Sequence, residues 1–399
     1  MDVVRCLPPP IPVRPPTRLA RGTGSRAAQG EAFGPYVVHE QLGAGGMASV
    51  HRAEQRGIAG FSKPVALKRM FDNFADDPSF VQSFATEAQL ASLLRHDHIA
   101  QAYDFGKVGS TYYIAMELVP GPTLQEMMNR ARASGIAIAI PIIVEILIQL
   151  CDALDHAHNL CDDAGVPLGI IHRDVSPSNV IIADAGMVKL IDFGIAKATS
   201  SRSTNAGVIK GKFGYIAPEY TRGQIDARAD LFALGVLAHE LLTGKRLFTG
   251  DNDFATLVAV REGATAPPSR TNKSVPAGLD DIVMTALQRD PDLRWQTASA
   301  MRNALGSVAR RLGAAVGGQR IREWIECEEV HPTHDDDGEP SVIVTMFGPE
   351  DTGVLVAPVP PRPRGRSWAS QLIAVLVFAA VAVAVWQAWS VLVVWSASG

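Results

Sequence analysis

Cysteine is scarce in this chain. Cys6, Cys151, Cys161 and Cys327 are all it has in 399 residues, and none sits in a C-x-x-C pair. No histidine or cysteine spacing around them suits a metal. This argues against a zinc module or a disulfide scaffold, and Cys151 and Cys161 are expected as free thiols in a reducing compartment. Basic excess is lacking as well. The 37 Lys and Arg face 41 Asp and Glu, for a net charge of −4, so nucleic acid is not expected as a partner. A secretory signal is missing too: Arg5, Arg14, Arg18, Arg21 and Arg26 are followed by no apolar run.

What is present divides the chain into four parts. Residues 1–34, with the proline-rich run Leu7 to Pro16, read as a disordered tail. Folded patterning begins near Pro35. Tyr36-Val37-Val38, Ala48 to Arg52 and Val65 to Met70 are predicted as strands around a glycine turn. Phe80 to Leu94 is predicted as an amphipathic helix and Tyr112 to Val119 as a further strand. Helical patterns dominate from about Thr123, so the expected class is α+β, with a small strand-rich lobe followed by a larger helical one. Ile136 to Leu150 is very apolar, but Pro141 and Glu145 interrupt it, which predicts a buried core helix and not a membrane span.

The folded domain is expected to occupy residues 35–312. Residues 313–367 read as a linker, first acidic (Glu326, Glu328, Glu329, Asp335, Asp336, Asp337, Glu339), then rich in proline and arginine. Residues 368–396 are expected to form one transmembrane helix. Leu372 to Trp395 is almost wholly apolar around its circumference, and its length of roughly 36 Å exceeds the ~30 Å hydrocarbon core. Trp368 and Trp395 bracket it as interfacial anchors. Arg362, Arg364 and Arg366 precede it, which places the N-terminal bulk on the cytoplasmic side. Only Ser396 to Gly399 follow, so no outer sensor domain is expected on this sequence.

Four local patterns carry chemistry. In Gly43-Ala44-Gly45-Gly46-Met47-Ala48-Ser49-Val50, glycines allow backbone amides close to phosphate oxygens. In Val65-Ala66-Leu67-Lys68, an apolar strand carries a lysine, which is costly unless a phosphate or a carboxylate partners it; Glu87 is the candidate carboxylate. Ile171-His172-Arg173-Asp174-Val175-Ser176-Pro177-Ser178-Asn179-Val180 and Leu190-Ile191-Asp192-Phe193-Gly194 hold an aspartate, an asparagine and a second aspartate between apolar flanks. Those are the base and oxygen ligands that magnesium-assisted phosphoryl transfer requires. Ala217-Pro218-Glu219 follows.

As an ordered set these motifs make the chain resemble the eukaryotic-like (Hanks-type) serine/threonine protein kinases in their bacterial form, from about Tyr36 to Leu312. The resemblance implies a bilobal kinase fold, ATP and Mg2+ as cofactors, and a serine or threonine hydroxyl of a cytoplasmic protein as substrate. It implies that Leu42, Gly43, Ala44, Gly45, Gly46, Val50 and Ala66 enclose the nucleotide. Met116 falls at the gatekeeper, and Glu117 to Val119 at the hinge to adenine. Lys68 would hold the α- and β-phosphates and pair with Glu87, Asp174 would take the substrate proton, and Asn179 and Asp192 would bind magnesium. Glu219 would pair with Arg294, and Asp230 would brace the catalytic loop, with His172 and Phe193 as packing residues. Arg173 would read a phosphorylated activation loop, with Thr199, Ser200, Ser201, Ser203 and Thr204 as candidate sites and a homodimer as the vehicle of trans-autophosphorylation.

Three positions depart from the family pattern. Ala48 replaces the third glycine of the phosphate loop. Ser176 stands where these kinases usually carry a lysine that contacts the γ-phosphate, and Lys212 stands where they usually carry threonine. An exchange is expected, with the ammonium moved to the segment before Ala217-Pro218-Glu219, which makes Lys212 a fourth candidate catalytic residue. The competing readings are a membrane-anchored pseudokinase, a small-molecule phosphotransferase and a tyrosine kinase. Lys68, Asp174 and Asp192 count against the first, the Ala217-Pro218-Glu219 segment against the second, and Ser176-Pro177-Ser178-Asn179 against the third.

Overall fold

Alternation along the strands builds the small lobe. In the computed structural model, which describes residues 30–193, 212–223, 225–313 and 318–329, β1 (Glu31–Phe33), β2 (Tyr36–Ala44), β3 (Ala48–Arg56), β4 (Ser62–Met70), β5 (Ala102–Val108) and β6 (Thr111–Glu117) form one antiparallel sheet. Its order is β1-β2-β3-β4-β6-β5. Successive side chains of a strand point to opposite faces. Tyr36, Val38, Ala53, Val65, Leu67, Tyr113 and Ala115 therefore gather on the outer face under Phe33. Ala48, Met70 and Ile114 gather on the inner face against Phe84 and Ala88.

Those last two belong to α2 (Pro78–Leu93), which follows the short α1 (Asp72–Ala75). Asp77 caps α2 by accepting the Ser79 N–H at 2.8 Å, and Pro78 opens it where a missing N–H costs nothing. All three strands predicted around the glycine turn, the helix after them and the strand at 112 are present.

The large lobe is helical: α3 (Leu124–Ser134), α4 (Ile140–His158), α5 (Arg228–Thr243), α6 (Asp253–Glu262), α7 (Ala277–Ala286), α8 (Ala298–Arg311) and α9 (Gln319–Glu329), with one hairpin of β7 (Val180–Ile182) and β8 (Val188–Leu190). Helix α3 starts with a capping box between Thr123 and Glu126 and stops at Gly135, whose φ is +69°. The apolar run at 136–150 forms a core helix from Ile140 onward, with Ile143 to Leu147 and Leu150 to Cys151 of α4 buried, while Ile136 before it is exposed. Helix α5 is buried all round and ends at Gly244, φ +69°. Residues His96–Gln101 stitch the lobes together, as Ala100 N–H donates to Leu190 O at 3.0 Å and Leu190 N–H to His98 O at 2.9 Å.

Two boundaries are corrected. The tail does not extend to residue 34, because Glu31–Phe33 pair with β2, Phe33 is buried, and Glu31 accepts from Arg69 at 3.1 and 3.2 Å. The linker does not begin at 313, because α9 docks Ile321 and Ile325 into the large-lobe core. Glu326, Glu328 and Glu329, expected in a solvated tether, lie in that helix. Among the described residues no helix is long and apolar enough to cross a membrane; the expected transmembrane segment at 368–396 lies outside them. Cys151 and Cys161 are free, the former buried and the latter exposed.

Candidate active site

Strand register brings the first part of the site together. Gly43 opposes Val50, and Val50 opposes Lys68, so the glycine turn and the lysine share one end of the sheet. Ala66 opposes Met116 one step along the same face. From β4 the Lys68 ammonium reaches Glu87 Oε1 on α2 at 2.6 Å and Asp192 Oδ1 at 3.1 Å. Burial opposes its charge, but the Asp192 and Glu87 carboxylates outweigh burial and hold the ammonium above its ordinary pKa. The lysine is charged, and it ties the small lobe to Asp192, two residues beyond β8.

Asp230, on the first turn of α5, sets the loop that carries Asp174. It is 1% exposed, and its carboxylate accepts the N–H groups of His172 and Arg173 at 2.8 Å each, and His158 Nε2 at 2.8 Å. Asp174 N–H donates to His172 Nδ1 at 3.2 Å, so the ring proton is on Nε2, facing the Ile191 carbonyl at 3.1 Å. His172 thus links the Asp174 loop to the Asp192 segment, and its ring packs on Phe193 at 4.5 Å. His172 therefore does more than the packing expected of it, whereas Phe193 is a buried packing residue. Asn179 donates to the Asp174 carbonyl at 2.9 Å and to Asp174 Oδ2 at 2.8 Å. With its amide nitrogen committed there, its Oδ1 faces the Lys212 ammonium.

The two expected metal ligands offer a carboxylate and an amide oxygen, hard donors suited to magnesium. Each already faces a cation: Lys68 lies 3.1 Å from Asp192 Oδ1, and Lys212 lies 3.3 Å from Asn179 Oδ1. Among the described residues, Lys68 faces the carboxylates of Glu87 and Asp192, and Lys212 faces that of Asp174. These hard oxygen donors, set among acidic groups, fit a divalent ion.

Lys212 is drawn into the cleft. Its ammonium lies 2.9 Å from Asp174 Oδ2. Ser176, by contrast, is 1% exposed, and its hydroxyl lies 3.2 Å from that of Ser178. Farther out, Arg294 clasps Glu219 through two bonds of 2.6 and 2.7 Å and donates to the carbonyls of Gln288, Arg228 and Arg289. All five guanidinium donors are used in a fully buried pair. Gly194 and the activation-loop positions Thr199, Ser200, Ser201, Ser203 and Thr204 lie outside the described residues.

Sequence reasoning missed three supports. Lys189 in β8 reaches the Glu117 carboxylate at 2.9 Å and fixes the start of the hinge. The argument applied to Lys68, a lysine between apolar strand residues, fits Val188-Lys189-Leu190 equally well. Gly121, φ +132°, runs so close to the Ile182 carbonyl that no side chain fits there. Tyr215 donates to Glu240 Oε2 at 2.6 Å beneath the Lys212 segment. The other cofactor candidates fall on elements already described: Leu42, Gly43 and Ala44 at the end of β2, Gly45 and Gly46 in the turn before β3, and Val119 two residues beyond β6.

Residues 36–305 match the protein kinase domain family. Tyrosine-protein kinase MasK of Myxococcus xanthus (strain DK1622) is 39% identical over 299 residues, which are 72% of this chain and 46% of that protein. Serine/threonine-protein kinase PknB of Mycolicibacterium smegmatis is 38% identical over 275 residues, 67% of this chain and 42% of that protein. The chain thus spans less than half the length of these relatives. Among solved structures, the Mycobacterium tuberculosis PknI kinase domain superposes with a TM-score of 0.53 at 27% identity, covering 71% of this chain and 99% of that one.

Proposed function

The chain belongs to the protein kinase family, and from that premise we propose that it is a membrane-anchored serine/threonine protein kinase, transferring the ATP γ-phosphoryl group to hydroxyls of cytoplasmic proteins and of its own activation loop. The observation that carries this reading is the continuous chain of charge from Glu87 through Lys68 to Asp192, facing the Asp174–Asn179 pair. Lys68 contacts both Glu87 and Asp192, and Asn179 contacts Asp174, which supports these roles.

In this reading Lys68 holds the nucleotide's inner phosphates, steadied by Glu87. The glycine turn, Val50 and Ala66 cover the nucleotide, and Met116, Glu117 and Val119 bound its base. Asp174 orients the substrate hydroxyl and accepts its proton. Asn179 and Asp192 would hold magnesium, which when bound would neutralise phosphate charge. The chain's own residues contribute position and fixed charge, the main currency of phosphoryl transfer. The relatives' names divide between serine/threonine and tyrosine; Pro177 and Asn179 of Ser176-Pro177-Ser178-Asn179 support the former, while Ser176 departs from its pattern.

The full chain, incubated with ATP and magnesium, is expected to incorporate phosphate on serine or threonine. Asp174→Asn is expected to lower incorporation by about 10²–10⁴-fold while nucleotide still binds. Phosphotyrosine alone would reverse the specificity. Nucleotide binding without transfer in the wild type would turn the reading to a membrane-anchored pseudokinase.

A further inference from the structure

Lys212 enters the site from an unusual direction. It follows directly on residues 194–211, and it does not belong to the loop that carries Asp174 and Asn179. Yet its ammonium bonds to both, at 2.9 Å to Asp174 Oδ2 and 3.3 Å to Asn179 Oδ1, with the side chain 14% exposed. The position on the Asp174 loop from which the family usually extends an amine holds Ser176, buried and turned onto Ser178.

Its backbone is held from below. Lys212 leads a short turn, Phe213–Tyr215, in which Tyr215 N–H donates to the Lys212 carbonyl at 3.1 Å. The Tyr215 hydroxyl is anchored on Glu240 of α5, whose other oxygen accepts the Leu247 N–H at 3.1 Å. Gly214 lies against the Phe248 carbonyl, where an added Cβ would come within 3.0 Å. Four consecutive residues are therefore seated on the large lobe, and the ammonium is aimed by that seat.

We propose that Lys212 supplies the cation that stabilises the transferring phosphoryl group, in place of a catalytic-loop amine, so that the site is complete only while the Lys212–Tyr215 turn is docked on α5. The inference rests on the kinase reading and adds regulation to it. In the step concerned, the substrate oxygen bonds to the γ-phosphorus while the bond from that phosphorus to the β–γ bridging oxygen breaks. That electron pair leaves with ADP, and the hydroxyl proton passes to Asp174. Negative charge accumulates on the transferring group and the leaving oxygen, beside an ammonium already held on Asp174. Undocking of the Lys212–Tyr215 turn from α5 would withdraw the cation itself. An amine borne on the Asp174 loop would stay behind.

The test uses the full chain and four variants, reading kcat, KM for ATP, affinity for a fluorescent ATP analogue, and melting temperature. Lys212→Ala is expected to lower kcat by about 10²–10³-fold, as for loss of one transition-state donor, with nucleotide affinity and melting temperature held. Lys212→Thr combined with Ser176→Lys is expected to regain most of the kcat that Lys212→Thr alone loses. Tyr215→Phe removes only the anchor, and its loss is expected in kcat and not in KM. Unchanged kcat in Lys212→Ala overturns the proposal. So does a loss that tracks melting temperature, or a reversed pair no better than Lys212→Thr. A wild type that binds the analogue but transfers no phosphate overturns the kinase reading instead.

Discussion

Asp230 holds its charge where only 1% of its surface meets solvent. Burial raises a carboxyl pKa, but here the His158 hydrogen bond and charge, His172 and the Arg173 N–H outweigh burial and bring it below the ordinary value. Those contacts have work to do: Arg173 carries φ +66° and Asp192 φ +55°, in the left-handed region, at a cost of about 1–3 kcal/mol each. The sign of the pH effect follows. A native pKa below the unfolded one adds stability that is complete above about pH 4 and is lost as pH falls through the lowered native value. Asp230→Asn is expected to lose that acid dependence. It should also lose about 3–5 kcal/mol near pH 7, because an amide replaces a carboxylate that accepted three donors. Thermal unfolding of both proteins from pH 3 to 7 measures this, and an unchanged acid limb in the variant would refute the assignment. None of this network is audible in the residue types alone: His158 reads as an ordinary helix-end histidine, since its partner lies 72 positions away.

Among the elements, what was legible depended on how much of the pattern lay within one segment. β2, β3, β4 and α2 carry their own alternation or periodicity, and the motif residues on them fell where expected. β5 did not show itself because Ala102–Val108 is mostly exposed, with little alternation. β7 and β8 are three residues each and exist by pairing with one another. Helix α9 was hidden by charge. Its apolar content is Ile321, Trp324 and Ile325, but their i, i+3, i+4 spacing is that of a docking face and could have flagged it. It packs Ile321 and Ile325 into the large-lobe core, while the Gly318 N–H donates to Glu145, a buried acid on α4. Gly186, in the β7–β8 turn, abuts Gly318 too closely for any side chain. Strand β7 also bonds to the segment just after the hinge, through Ile182 N–H to the Pro122 carbonyl at 2.9 Å. The catalytic lobe therefore runs to residue 329, beyond the family match at 305. Ile321→Ala is expected to cost about 2–4 kcal/mol in chemical denaturation, in line with truncation of a buried isoleucine. A loss under 0.5 kcal/mol would mean that α9 is not part of the cooperative unit.

On the scale of the whole molecule, the site supplies chemistry and the proposed span supplies location. If residues 368–396 cross a membrane with Arg362, Arg364 and Arg366 on the cytoplasmic side, every copy of the kinase lobe is confined to one surface. Confinement raises the concentration at which one copy meets another without adding any contact between them. Phosphorylation of one copy's activation loop by its neighbour then becomes insensitive to bulk dilution. Removing only the apolar segment, by ending the chain at residue 367, leaves α9 and the whole site intact, whereas a cut at 312 would also remove α9 and confound the result. The full chain in vesicles is expected to autophosphorylate at an initial rate per molecule that holds as bulk protein is diluted at a fixed protein-to-lipid ratio. The chain ending at 367 should slow in proportion to dilution, as a second-order reaction must. Phosphate incorporation over a hundredfold dilution series decides the matter. Equal concentration dependence in the two forms would show that the apolar segment does not gather the kinase. A rate independent of dilution in the truncated chain would place the reaction within a single copy or a stable soluble dimer.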